Sequence, residues 1–355
     1  MREYVRTKNL HEGDVTRETL YDDKMRVLLR SGNKLTKRAI DMISKLGYKG
    51  IYIDNQENCR REDIPLSEPF LDNKTMLRMV AEAKEMRARV LTDGSQIAEF
   101  VRVLTENVED IVAVMRERAD RNDMLYEMYD LRIASNWIYY HSIATSILSA
   151  GIAIVFGFTD EKVKSIALGG MLHDMGKAFL GGDLYQKSDI TEAEREKLRN
   201  HSELMFRLLQ RMTTLPVDTT YAVWQHHEKC DGSGYPIGLT KDKIYLSAQI
   251  VALASAYDNM TNISPYNDHP MTGAEAFEYL AGSESYSVEC VKALRTFACI
   301  YSVGTKVLLS DGRVAVVLKN VPGIPERPYL LCEGKVLDMA NDQSLMSLVI
   351  RQEIL

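Results

Sequence analysis

At 355 residues the chain is longer than one typical domain and fits two or three. With 45% hydrophobic and 26% charged residues it reads as globular, and a net charge of −6 excludes a nucleic-acid-coating protein while leaving room for a small anionic ligand. Five cysteines without paired spacing exclude a disulfide framework and imply reduced thiols in the cytoplasm.

The opening "MREYVRTKNLHEGD" is charged throughout, so no export signal is expected. Residues 1–72 predict a small mixed α/β unit: an apolar run in "MRVLLRSGNKL", a Ser-Gly-Asn turn, a helix in "TKRAIDMISKLG", then a strand "GIYID". A polar connector, "NQENCRREDIPLSEP", follows. No catalytic grouping lies here, so a regulatory role is expected. Residues 73–125 predict a helical connector whose stripe Ile97, Phe100, Val101, Leu104, Val108, Ile111 and Met115 packs in a core or between domains. A signal-relaying or homodimer-forming helix is the alternative.

Residues 126–300 are rich in helix formers and hold most of the histidines. Their most apolar stretch, "AGIAIVFGF" at 150–158, is about half the roughly 20 residues a bilayer crossing needs, so no membrane span is expected. Over 301–355, "TKVLLSDGRVAVVLK" predicts a β-hairpin extension, with Pro322, Pro325 and Pro328 ending regular structure.

The candidate site is His141, His173, Asp174, His201, His226, His227 and Asp258. Imidazoles with carboxylates suit iron, manganese or zinc, and the absence of cysteine argues against a structural zinc knot. A single buried histidine is usually a satisfied core residue. Two ligand-type dipeptides beside glycine-containing segments, in a chain with seven histidines, favour a metal site. Neighbours on a helix diverge by about 100°, so the His226-His227 pair edges a site of two ions better than it chelates one. His11 and His269 stand alone and read as surface residues.

"HDMGK" at 173–177, with "HHEKCDGSGYP" at 226–236, resembles the HD-GYP branch of the HD-domain metal-dependent phosphohydrolases, over about 130–300. The resemblance implies a mainly α, HD-type catalytic domain binding two divalent ions, iron or manganese. It implies a phosphodiesterase acting on a cyclic dinucleotide, cyclic di-GMP first. One ion would be held by His141, His173, Asp174 and Asp258, the other by Asp174, His201, His226 and His227. Two ions roughly 3.5–4 Å apart activate water for in-line attack at phosphorus. Asp174 and Lys177 would carry the chemistry, Lys177 reaching the scissile phosphate or the attacking hydroxide. Gly232, Gly234, Tyr235 and Pro236 would shape the substrate pocket and offer a contact to diguanylate-cyclase-type domains. Glu228 would hydrogen-bond a ligand histidine.

Two departures stand out. Trp137 occupies the place of a glutamate found in three-metal members, so two ions are expected. Beyond Asp258, Pro265 and Tyr266 persist, but Ser264, Asn267 and Asp268 replace basic residues. Each lost phosphate contact costs about 1.5–3 kcal/mol, unless Lys292 or Arg295 compensates. The rival readings are a catalytically weak cyclic-dinucleotide-binding signalling module and a phosphohydrolase of another nucleotide.

Overall fold

Capped helical segments dominate the chain, and a computed structural model shows how they stack. It describes residues 2–22, 26–48, 50–54, 70–121, 123–126, 136–181, 184–187, 189–212, 214–262, 264–265, 267 and 269–354. The connector over 55–69, and Tyr266 and Asp268 of the segment after Asp258, lie outside the described residues.

The amino-terminal unit is built from β1 (Arg2–Arg6), β2 (Leu20–Tyr21), β3 (Val27–Leu29), α1 (Lys37–Lys45) and β4 (Gly50–Asp54). β4 pairs antiparallel with β1, Tyr52 opposite Tyr4, and β3 pairs with β2. β1 is too charged to announce itself as a strand; pairing with the apolar β4 decides it. Thr36 starts α1 by accepting from the Ala39 N–H at 3.2 Å.

α2 (Asn73–Thr92) and α3 (Ile97–Asp120) pack on each other, and α3 also lies against α4 (Trp137–Val155) and α5 (Asp160–Leu172). From Phe100 to Met115 the α3 stripe is buried. Its apolar face is therefore spent inside the bundle, in line with the core-packing expectation. α4 runs for 19 residues, so the expectation of a half-length apolar stretch was too short; by length and composition it is able to cross a membrane. Here it is the central helix, buried from Trp137 to Ala153, and that burial accounts for its apolarity.

The bundle continues with α6 (Met175–Phe179), α7 (Glu192–Arg199), α8 (His201–Leu209), α9 (Val217–Gln225), α10 (Leu246–Thr261), α11 (Gly273–Gly282) and α12 (Val288–Arg295). α10 contacts α4, α5 and α9. The fold is mainly α.

The tail holds more than a hairpin. β5 (Lys306–Leu309) and β6 (Val314–Lys319) pair as expected, but β7 (Tyr329–Cys332), β8 (Lys335–Asp338) and β9 (Ile350–Ile354) follow. Together they form an antiparallel sheet in the order β8-β7-β6-β5-β9. The prolines interrupt only the β6–β7 link. Glu333 and Gly334, at φ 50° and 75°, make the tight β7–β8 turn.

Candidate metal centre

The cluster forms where helices end. His173 closes α5 and Asp174 opens α6; His201 opens α8; His226 closes α9. Helix ends leave carbonyls without intrahelical partners, and three of the histidines use them. His173 Nδ1 lies 2.7 Å from Gly170 O, His201 Nδ1 2.5 Å from Leu198 O, and His226 Nδ1 2.8 Å from Val223 O. Each bond puts the proton on Nδ1 and leaves the Nε2 lone pair facing the centre. His141 sits inside α4, where the helix consumes the carbonyls. Its Nδ1 instead meets Asp258 Oδ2 on α10, at 2.6 Å.

Two groups result, His141–His173–Asp174 and Asp174–His201–His226–His227, with ligand atoms within 4.8 Å of one another in each. Asp174 belongs to both. His141 Nε2 stands 3.1 Å from His173 Nε2, and His201 Nε2 3.3 Å from His226 Nε2. Lone pairs so placed repel unless a cation lies between them. Ligand nitrogens about 2.1 Å from one ion are themselves roughly 3.0–3.4 Å apart, so the spacing fits. Asp174 Oδ1 and His227 Nε2 are buried without a hydrogen bond, although Oδ1 lies 3.2 Å from His201 Nε2. Those orphaned atoms, and an all-nitrogen-and-oxygen donor set, suit a borderline divalent ion.

Electrostatics agree with ligand protonation states. Burial lowers all four shifted imidazoles: His201 to about 4, His226 below its usual value, and His173 and His227 well below it. Burial pushes the Asp174 carboxyl up, but Lys177 and His173 outweigh it and hold it well below the carboxylate range. Lys177 Nζ donates to Asp174 Oδ2 at 2.7 Å and lies 6.0 Å from the Trp137 ring centre.

The other expected site residues are placed as follows. Asp258 is not among the ligand atoms of either group; it stands behind His141, with Asn262 Nδ2 donating to its Oδ1 at 3.1 Å. Glu228 bonds no histidine. Its carboxylate accepts from the N–H groups of Ile237 (2.7 Å), Gly238 (3.0 Å) and Leu239 (2.8 Å), because the turn folds back over it and leaves those donors without other partners. Gly234 makes room for the chain itself rather than for a ligand: a Cβ there would collide with the Lys229 backbone nitrogen. Gly232 takes a positive φ of 80° in the same turn, ahead of Pro236, which follows a cis peptide bond. Tyr235 presents its face to His227, stacked at 4.5 Å and 18°, with the Arg199 guanidinium 5.4 Å from the Tyr235 ring centre.

Two described residues of the segment after Asp258 turn to the protein itself. Asn267 Nδ2 donates to Asn259 O at 2.9 Å, and Ser264 is buried. Arg295 is engaged by Glu326 and does not serve the cluster, and Lys292 is exposed on α12. Sequence reasoning missed Ser255, whose hydroxyl lies 3.2 Å from His141 Nε2, and Asn262 and Arg199. The i,i+4 spacing of Asp258 and Asn262 on one helix was an available signal; nothing local marked Ser255 or Arg199.

Comparison with known proteins shows the family. A family model described as an HD domain matches residues 102–286, just over half of the chain. The chain is 30% identical over 222 residues to cyclic di-GMP phosphodiesterase PA4108 of Pseudomonas aeruginosa, covering 61% of this chain and 53% of that protein. It is 32% identical over 133 residues to 3'3'-cGAMP-specific phosphodiesterase 1 of Vibrio cholerae, covering 37% of this chain and 31% of that one. The chain thus spans about half the length, or less, of these relatives. The solved structure of Bd1817, an HDG"Y"P protein from Bdellovibrio bacteriovorus, aligns over 83% of this chain and 98% of that chain, at a TM-score of 0.49 and 19% identity.

Proposed function

Because the chain belongs to the HD domain family, in its HD-GYP branch, we propose that it is a metal-dependent phosphodiesterase hydrolysing a cyclic dinucleotide, cyclic di-GMP first among them. The observation that carries this reading is the buried set of Nε2 atoms converging on Asp174. His141 and His173 would hold one divalent ion with Asp174, and His201, His226 and His227 a second, iron or manganese being the best match to the donors. Such a pair supplies charge neutralisation at phosphorus and a lowered pKa for the attacking water.

The chain's own groups do the rest. Asp174 bridges the two halves of the centre. Lys177, anchored on Asp174 and half-buried beside Trp137, would donate to a non-bridging phosphate oxygen. Asp258 acts through His141 by fixing its tautomer and ring orientation. The turn at 232–236 positions His227 through Tyr235, and Glu228 holds that turn closed.

A second reading, a change of substrate, is favoured by the loss of basic groups at Ser264 and Asn267 and by the cyclic GMP-AMP specificity of one relative. The test for both is one preparation: protein purified without oxygen, metals counted by elemental analysis, and cyclic di-GMP, 3'3'-cGAMP and cyclic di-AMP offered in parallel. Two metals per chain with linear product from cyclic di-GMP support the first reading; cleavage of 3'3'-cGAMP alone transfers it to the second. Metal-loaded protein that cuts none of the three overturns both, and saturable binding without turnover identifies a signalling module.

A further inference from the structure

A large cavity lies away from the cluster. It measures about 1340 Å³, and neither the six clustered groups nor Asp258 line it. Three parts of the chain enclose it: the amino-terminal unit from β1 to β4, the end of α10 with the loop into α11, and the edge of the carboxy-terminal sheet at β5 and β9. A space this size exceeds the range of about 300–1,000 Å³ common for small-molecule sites and so admits a nucleotide.

Its lining carries two kinds of uncommitted charge. The side chains of Arg6, at the end of β1, and Lys8, just beyond it, have no ion-pair or hydrogen-bond partner among the described residues. Across the cavity the Glu353 side chain of β9 is likewise without a hydrogen bond or ion pair among them. Between these lie aromatic walls, Tyr126 and Tyr257 among them. Burial, followed by the nearby Glu275, raises the Glu353 carboxyl to about 7, so its ionised form lacks the compensation that a bound donor would provide.

We propose that this cavity is a binding site for a guanine nucleotide, with the phosphate at Arg6 and Lys8 and the base edge at Glu353. The chemistry selects the class. Paired cations favour a phosphate. A carboxylate accepts from the adjacent N1–H and exocyclic N2–H donors of guanine, whereas adenine presents an acceptor at N1. Tyrosine faces suit a purine ring. The occupant borders Asn262, which also lines the cavity and donates to Asp258, so the site adjoins the metal centre without sharing its groups. The inference does not rest on the reaction at the cluster.

Calorimetric titration of GMP and AMP into the full chain tests it, using wild type, E353Q, the double variant R6A/K8A, and D174N as a cluster variant. GMP is expected to saturate wild type and D174N alike, with AMP about tenfold weaker, the value of one charge-assisted contact. E353Q and R6A/K8A should each weaken GMP by about tenfold, and E353Q should also erase the preference over AMP. Thermal melts confirm that each variant is folded, and R6A/K8A keeps the test open if E353Q is not. Absence of saturable GMP binding to wild type overturns the proposal. So does GMP binding that disappears in D174N yet is untouched by E353Q and R6A/K8A, which would place it at the cluster.

Discussion

Asp174 is the residue on which the centre turns, since both halves use its carboxylate and its Oδ1 lacks a hydrogen bond. Asp174→Asn keeps the volume and removes the charge, and elemental analysis should find metal content reduced to background. Asp258 tests a different idea. It meets His141 rather than joining the ligand atoms, so Asp258→Asn should retain metal but lower affinity or activity by about 10–100-fold. Tyr235 separates stacking from hydroxyl chemistry. Tyr235→Phe preserves the ring on His227 and should match wild type; Tyr235→Ala loses a contact of about 0.5–1.5 kcal/mol and should lower metal affinity roughly up to tenfold in competition with a chelating dye.

At the scale of elements, the centre depends on how closely short helices approach. Gly176 in α6 has no room for a methyl, because a Cβ there would meet the His201 carbonyl at the start of α8. Gly176→Ala should therefore cost about 1–3 kcal/mol in denaturant unfolding and reduce activity as well, since it separates Asp174 from His201. The 228–239 turn depends on one carboxylate accepting three backbone protons. Glu228→Ala should cost about 2–3 kcal/mol and speed amide exchange at Ile237 and Leu239 before the rest of the domain. The helix spacing of the cluster was not legible locally, because a glycine that touches a neighbouring helix looks in sequence like any other glycine.

For the whole molecule, the seam between the bundle and the carboxy-terminal sheet has a pH signature. Glu353 titrates at about 7 rather than 4.5, with burial first and Glu275 second among the causes, and Tyr257 and Tyr301 also face it. The folded state thus holds this proton more tightly than the unfolded chain. Its stabilising contribution is present below the ordinary carboxylate value and is lost as pH rises through about 7. Replacing it by Gln removes that loss, so the melting temperature of E353Q should gain on wild type between the two values. A constant difference across that window would contradict the burial of Glu353.

Two motifs, through the family resemblance they carry, were enough to expect a mainly α protein of the HD type, and the scarcity of histidine was enough to name six groups that converge, because the types of ligand residue are dictated by metal chemistry. The hairpin at 305–319 was legible for the same local reason, an Asp-Gly turn between apolar runs. The partners of Asp258 and Glu228, the stacking of Tyr235, the use of the α3 stripe and the strands after Pro328 were not. Each is a choice among several nearby groups, and only packing of distant segments removes the alternatives. His141 shows the difference: its identity as an inward-facing imidazole is local, whereas the acceptor that orients it lies 117 residues away.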